Sequence, residues 1–371
     1  MGEEWDPETM SRLAILPELP EPREILSPFP GETRLLSPEA SLIDAFGRRL
    51  TYLRVSVTDR CNLRCTYCLP EDAEFPFGDR AFLTPAEIET LVGALVRLGI
   101  RRVRLTGGEP LVRRDILEIV RRVKALPGVE DLALSTNGTE LERLAPALKE
   151  AGVDRVNVSL DSLDPEVFRA ITRRGDLETV WRGVEAALAA GLAPVKLNAV
   201  LLAQSNLEDV DRLVALTLDR PLAVRFIEMM PTASNQHLQP GEYLSSDVAR
   251  RRIEERFGPL VPAEASAPRT GPAKAFRLPG AQGEVGFITP LSHTFCAECN
   301  RLRLTARGEL RLCLFADRVY PLRPFLAGPD PDRRDAALEA EILRVLADKP
   351  AEHMLNQGNY GNLVSFMQIG G

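Results

Sequence analysis

From Tyr52 onward, short apolar runs alternate with stretches in which apolar residues return every three or four positions, so strands and helices take turns along the chain. The runs predict strands over 52–57, 102–105, 131–135, 155–160, 195–200 and 223–228, with helices over 85–98, 115–126 and 177–190 among the connections. Gly191 ends the last of these helices, the usual place for a residue that tolerates a left-handed backbone. Repeated strand–helix units assemble an α/β fold with a parallel sheet and right-handed crossovers, either open or rolled into a barrel. Chemistry then belongs on the loops after the strands' C-terminal ends. Cys61, Gly107, Gly108, Asn137, Gly138, Asp161, Met229 and Met230 all fall on those loops.

On either side the pattern breaks. Prolines at 17, 20, 22, 28, 30 and 38 deny residues 1–45 a regular helix or strand, and this extension is expected to be mostly disordered. The strand–helix rhythm fills 46–256. A Pro/Ala/Gly-rich connector over 259–272 then leads into a segment, 275–315, that carries three cysteines. A helix is expected over 333–347, followed by a glycine-rich tail ending in Gly370 and Gly371. Residues 257–371 are therefore expected to form a second, smaller domain.

Composition removes several function classes. The formal net charge of -7 opposes general nucleic-acid binding, which needs a basic surface to displace counterions. No apolar run reaches the roughly 18 residues of a membrane span, and the acidic start MGEEWDPETM is unlike a signal peptide, so a cytoplasmic protein is expected. In that reducing compartment, six cysteines in two tight groups read as metal ligands rather than as disulfides.

The first group, Cys61, Cys65 and Cys68, puts three thiolates in one short loop with no fourth nearby, which suits a cubane cluster with one iron left open for a small molecule. The alternatives are a zinc site completed by a distant histidine and three unrelated buried thiols. Tyr67, just before the last cysteine, is placed to pack over whatever binds the open iron. Thr106-Gly107-Gly108-Glu109-Pro110 follows the second strand; its glycines allow close backbone approach to a ligand, and Glu109 offers an acceptor for an ammonium group. The second group, Cys296, Cys299 and Cys313, fits a zinc knuckle closed by His293 as well as it fits a second open cluster. His237 and His353 read as surface or packing residues. Arg301 and Arg303, two residues apart, project to one side of an extended segment, where planar guanidinium donors suit phosphate or a purine edge. Arg54, Arg104, Lys196 and Arg225 are charges inside apolar strands, expensive unless they line a polar cavity that takes an anion.

Taken together, the Cys61-x-x-x-Cys65-x-x-Cys68 and Thr106-Gly107-Gly108-Glu109-Pro110 motifs resemble the radical S-adenosylmethionine superfamily. The Cys296, Cys299 and Cys313 spacing, Arg301-x-Arg303 and the terminal Gly370-Gly371 resemble, within it, the GTP 3′,8-cyclases, which begin molybdenum-cofactor biosynthesis. The resemblance implies an incomplete (β/α)6 TIM-like barrel closed by a smaller C-terminal domain, with two [4Fe–4S] clusters facing one another. The first would bind S-adenosylmethionine through its open iron and yield a 5′-deoxyadenosyl radical; the second would hold the guanine of GTP. Removal of the ribose H3′ and addition of C3′ to C8 would then give a cyclic dihydro-GTP. By position, Tyr67, Gly108, Ser159 and Met230 would contact S-adenosylmethionine. Arg54, Arg104, Ser135, Lys196, Arg301 and Arg303 would contact GTP, with Arg301, Arg303, Gly370 and Gly371 assisting catalysis. A reduced flavodoxin or ferredoxin-like protein would supply electrons, cyclic pyranopterin monophosphate synthase would take the product, and a homodimer is compatible with the family. A peptide maturase with an auxiliary cluster and a non-catalytic metal-stabilised binding protein are the competing readings.

Overall fold

The computed structural model describes residues 42–355 apart from 76–77, 79–80, 233–234, 236–237, 239–240, 264–270, 317, 329 and 354. The extension up to residue 41, His237 and the Gly370-Gly371 pair lie outside the described residues.

The six expected strands form within a residue of their predicted bounds: β1 (Tyr52–Ser56), β2 (Arg102–Thr106), β3 (Asp131–Thr136), β4 (Arg155–Ser159), β5 (Lys196–Leu201) and β6 (Ala223–Glu228). The helices between them are α1 (Pro85–Arg97), α2 (Ile116–Lys124), α3 (Leu141–Ala151), α4 (Pro165–Thr172), α5 (Leu177–Ala189) and α6 (Asp209–Asp219), with α7 (Ser246–Phe257) after β6. Local chemistry sets where they start. Thr84 and Glu87 close a capping box around Pro85 at the head of α1, and Asp164 and Asp176 cap α4 and α5 through their carboxylates.

Beyond α7 come β7 (Val261–Pro262), β8 (Lys274–Arg277), β9 (Glu284–Ile288), β10 (Arg301–Leu304), β11 (Glu309–Arg311), β12 (Tyr320–Pro321) and α8 (Pro331–Leu346). These strands extend the sheet built by β1–β6. The order is β12-β11-β10-β1-β2-β3-β4-β5-β6-β9-β8-β7, with β10 parallel to β1 and β9 parallel to β6. The segment after residue 257 thus supplies a parallel strand to each flank of the six, and antiparallel strands beyond them. β12 and β7 end the sheet without pairing to each other, which leaves the barrel incomplete.

Alternation along each strand sorts the side chains. Leu53, Val55, Val103, Leu105, Leu132, Leu134, Val156 and Val158 are fully buried beneath the helices, each large apolar side chain contributing roughly 1.5–3 kcal/mol. The intervening positions face the other way, and there the polar and basic residues stand.

Candidate functional site

The concave face of the sheet encloses a cavity of about 1160 Å³. Its wall takes the alternate positions of the parallel strands: Tyr52 and Arg54 of β1, Arg102, Arg104 and Thr106 of β2, Ser135 of β3, Asn157 and Ser159 of β4, Lys196 and Asn198 of β5, Arg225 of β6, and Arg301 and Arg303 of β10. All six cysteines also line it, half-buried and free.

Topology puts the two cysteine groups at opposite ends of these strands. Cys61, Cys65 and Cys68 follow the C-terminal end of β1, whereas Cys296 and Cys299 precede the N-terminal end of β10, which runs parallel to β1. The antiparallel β11 returns the chain to that same end and delivers Cys313. Between the groups, Arg54 lies beside Arg303 on one side and Arg104 on the other. Asn157 lies between Ser135 and Lys196, and Ser159 beside Asn198 is one lumen position nearer the first cysteine group.

The first loop is held by two guanidinium groups that grip its backbone carbonyls. Arg64 donates to the carbonyls of Cys61 (2.9 Å), Leu63 (2.9 Å) and Ala73 (3.2 Å), and Arg173 donates to those of Arg64 (3.1 Å) and Leu69 (2.9 Å). The two glycines after β2 serve this loop. A Cβ on Gly107, whose φ is +147°, would stand 2.4 Å from the Thr58 carbonyl oxygen, and one on Gly108 would stand 2.3 Å from that of Arg60. Their bareness therefore admits the segment between β1 and Cys61, and both glycines also line the cavity, where a ligand can approach the backbone closely.

Glu109 departs from expectation. Its carboxylate is buried and accepts from the Leu111 amide (2.9 Å), the Thr136 hydroxyl (2.8 Å) and the Asn137 amide (2.6 Å), tying β2's turn to the end of β3 rather than facing the cavity. His293 departs too. Its imidazole meets Asp247 at 3.0 Å and is not part of the cavity wall, so it does not complete a knuckle with Cys296, Cys299 and Cys313. Among the described residues no three His, Cys, Asp or Glu side chains converge on a single metal ion. Cysteine thiols are soft donors of the kind that iron–sulfur clusters take. His353 packs edge-on to Phe315, with ring centroids 5.7 Å apart, at the cavity wall.

Tyr67, Ser159 and Met230 share the cavity with Gly108 at the first cysteine group's end. The Tyr67 hydroxyl donates to Asp161 at 2.8 Å, and the Asn235 amide donates to the Tyr67 carbonyl at 3.0 Å and the Met230 carbonyl at 2.9 Å. Asp161 in turn accepts from the Val200 amide, so Tyr67 is fixed from both its ring and its backbone.

Charge accumulates deeper in the lumen. Burial, reinforced by Arg225, Arg155 and Arg104, pushes the Lys196 ammonium down to about 6. Burial and neighbouring arginines likewise bring Arg54 and Arg225 down to about 10, and burial with Arg54 and Arg301 brings Arg303 well below its ordinary value. Such a set is uncomfortable empty and complementary to a polyanion. The thiols differ by end: burial, outweighing the Leu63 amide's hydrogen bond, pushes Cys61 up to about 12, whereas burial of Cys299 is outweighed by Arg301 and Lys349, which bring it to about 7.

Lys196 gives a pH signature. Its depressed value means that the unfolded chain binds more protons than the folded one between about pH 6 and the ordinary lysine range, so its contribution to stability rises with pH across that window. A bound polyphosphate restores the charge. Titrating inorganic tripolyphosphate at mildly alkaline pH into the protein is expected to take up close to one proton, read calorimetrically in buffers of different ionisation enthalpy. Lys196→Met removes that uptake; an unchanged uptake in the variant would show that Lys196 is not the group that titrates.

Arg155, Asn157, Asn198, Tyr52, Asp161 and Asn235 belong to the site and were not picked out as ligand contacts from the sequence. Stepping by two along a strand finds several of them, because Tyr52 is two residues from Arg54, Asn157 two from Ser159 and Asn198 two from Lys196. Asn235 has no such signal.

Residues 55–217 match the Radical SAM superfamily and residues 222–355 match Molybdenum Cofactor Synthesis C. The GTP 3′,8-cyclase of Pelotomaculum thermopropionicum is 48% identical over 330 residues, which cover 88% of this chain and 99% of that protein. That of Heliobacterium modesticaldum is 48% identical over 335 residues, covering 89% and 100%. Among solved structures, Streptococcus suis SuiB bound to S-adenosylmethionine resembles the chain with a TM-score of 0.54 at 15% identity, covering 83% of this chain and 68% of that one, a likeness of fold alone. Radical S-adenosylmethionine enzymes work on an iron–sulfur cluster, for which the Cys61, Cys65 and Cys68 thiols are donors of the required kind. With near-complete coverage of both cyclase relatives at this identity, the chain belongs to the GTP 3′,8-cyclase family of the radical S-adenosylmethionine superfamily.

Proposed function

We propose that this protein converts GTP to (8S)-3′,8-cyclo-7,8-dihydro-GTP, the opening step of molybdenum-cofactor biosynthesis, in a lumen that has a cysteine triad at each end. The observation that carries the reading is this polarity: thiols past the C-terminal end of β1, thiols before the N-terminal end of β10, and a band of cations between them.

Cys61, Cys65 and Cys68 would hold one [4Fe–4S] cluster and Cys296, Cys299 and Cys313 a second. The first cluster with S-adenosylmethionine supplies, when bound, the 5′-deoxyadenosyl radical. Tyr67, Gly108, Ser159 and Met230 would orient S-adenosylmethionine at the first triad. Arg54, Arg104, Ser135 and Lys196 would take GTP in the middle of the lumen, where burial strengthens each contact to phosphate. Arg104 is preset for this, donating to the Ser135 hydroxyl at 3.2 Å and to the Tyr52 hydroxyl. Arg301, braced against the Phe295 ring at 4.8 Å, and Arg303 would steady the nucleotide beside the second triad, with Gly370 and Gly371 assisting. GTP so held would present its ribose toward the first triad; it would lose H3′ as a hydrogen atom to the 5′-deoxyadenosyl radical, gain the C3′–C8 bond, and take up one electron and one proton at the purine ring to reach the dihydro product. Both electrons, one for S-adenosylmethionine cleavage and one for the purine radical, would come from a reduced flavodoxin or ferredoxin-like protein, and the product would pass to cyclic pyranopterin monophosphate synthase.

GTP deuterated at C3′ tests the reading. Anaerobically reconstituted protein, carrying about eight irons per chain, is expected to place deuterium in 5′-deoxyadenosine and to form the cyclic product in step with it. Product formed with unlabelled 5′-deoxyadenosine would remove H3′ as the target, and about four irons with a zinc would remove the second cluster.

A further inference from the structure

Just past α8, three residues are tied to the second cysteine group, Lys349 directly and Pro350 and Ala351 through Arg48. Lys349, buried, directs its ammonium at the Cys299 thiol (3.9 Å), the Arg301 carbonyl (3.2 Å) and the Leu312 carbonyl, the residue before Cys313. The carbonyls of Pro350 and Ala351 accept from Arg48 at 2.6 Å each, and the same guanidinium donates to the Cys296 carbonyl at 2.9 Å. Arg48 is itself anchored on Asp44.

The contrast between the two cations is informative. Arg48 has a carboxylate to balance it, whereas among the described residues the hydrogen-bond partners of Lys349 are two carbonyls and a thiol. A buried ammonium saturated in this way still needs a counter-charge. Three cysteine ligands gathered on iron–sulfur supply one. A lysine here is therefore placed to respond to the charge of the group beside it, beyond propping the chain.

We propose that Lys349 is a positioning residue for the second cluster: it fixes the Cys299 and Cys313 segments at their separation and, as the donor to Cys299 sulfur and the adjacent positive charge, sets that cluster's reduction potential. The inference rests on the two-cluster reading above. Hydrogen bonds to cluster sulfur and net charge are the levers by which a protein moves such potentials. Losing a donor and a positive charge leaves the reduced form less favoured, so the potential moves to a more negative value.

The full-length reconstituted protein is titrated redox-potentiometrically, with the two clusters followed by electron paramagnetic resonance, in the wild type and in Lys349→Met, Lys349→Gln and Lys349→Arg. The Met and Gln variants are expected to disfavour reduction of the second cluster at least tenfold, about 59 mV for one electron. The Arg variant, which keeps the charge, should return most of the shift. The first cluster's signal and cleavage of S-adenosylmethionine without GTP should stay as in the wild type. Eight irons in every protein with an unmoved second potential would overturn the proposal, as would equal loss of the second cluster from all three variants with a common drop in melting temperature, the mark of a mere prop. A wild type with about four irons would instead overturn the two-cluster reading, and this inference with it.

Discussion

Gly108→Ala is expected to remove the first cluster and with it reductive cleavage of S-adenosylmethionine. The added methyl would stand 2.3 Å from the Arg60 carbonyl oxygen, 2.6 Å from its carbon and 2.7 Å from the Asp59 carbonyl oxygen. These are backbone atoms with no rotamer to turn. The Gly108 amide also donates to the Thr58 carbonyl at 2.8 Å and the Glu109 amide to that of Arg60 at 2.7 Å, so the segment between β1 and Cys61 is pinned at the point of collision. That segment must move and carry Cys61 with it, and a displacement near 1 Å at a reacting centre costs on the order of a hundredfold in rate. Iron content should fall by about four per chain while far-UV circular dichroism keeps its α/β signature. Wild-type iron content and cleavage in this variant would mean that the packing of the two loops does not govern the site.

Arg303→Ala is expected to separate radical generation from its use. Turnover of GTP should fall by roughly a hundred- to a thousandfold, the scale of losing one preorganised charged donor in a dry site, while S-adenosylmethionine cleavage without GTP changes little. Lysine should restore only part, since a point charge does not reproduce the guanidinium fork. The direction of the stability change is opposite. Arg303 is held well below its ordinary value by burial, Arg54 and Arg301, so its charge is a strain on the ligand-free protein. The alanine variant without GTP should melt no lower than wild type, and GTP should stabilise it less. A large fall in melting temperature would make Arg303 a structural residue instead.

These two positions show how unevenly the site could be read in advance. Arg303 was visible because a charge two residues from another on an extended segment declares a face, and the same reasoning exposed Arg54, Arg104 and Lys196 inside apolar strands. Gly108 was visible as a glycine but for a different neighbour: that its space is filled by residues 58–60 depends on how β1 and β2 lie side by side. Glu109 looked equally available to a ligand until Leu111, Thr136 and Asn137 were found around it. Helices α3, α4, α6 and α7 receive no bounds from the sequence pattern, and α3 carries Pro146 inside it, a residue that argues against a helix wherever packing does not override it.

The six strands and the alternation of strand with helix are legible in the sequence, because alternation and helical periodicity are local, and so are both cysteine groups, because Cys61 to Cys68 lie within 8 residues and Cys296 to Cys313 within 18. That the segment after residue 257 flanks the six strands on both sides, and that the two cysteine groups stand at opposite ends of one lumen, follows from strand pairing. Strand pairing is a long-range choice: nothing in residues 301–304 names residues 52–55 as their neighbours until the chain closes. The same holds for Lys349, which as one lysine after a helix carries no signal in sequence and acquires its meaning from the Cys299 thiol and the Arg301 and Leu312 carbonyls that folding brings around it.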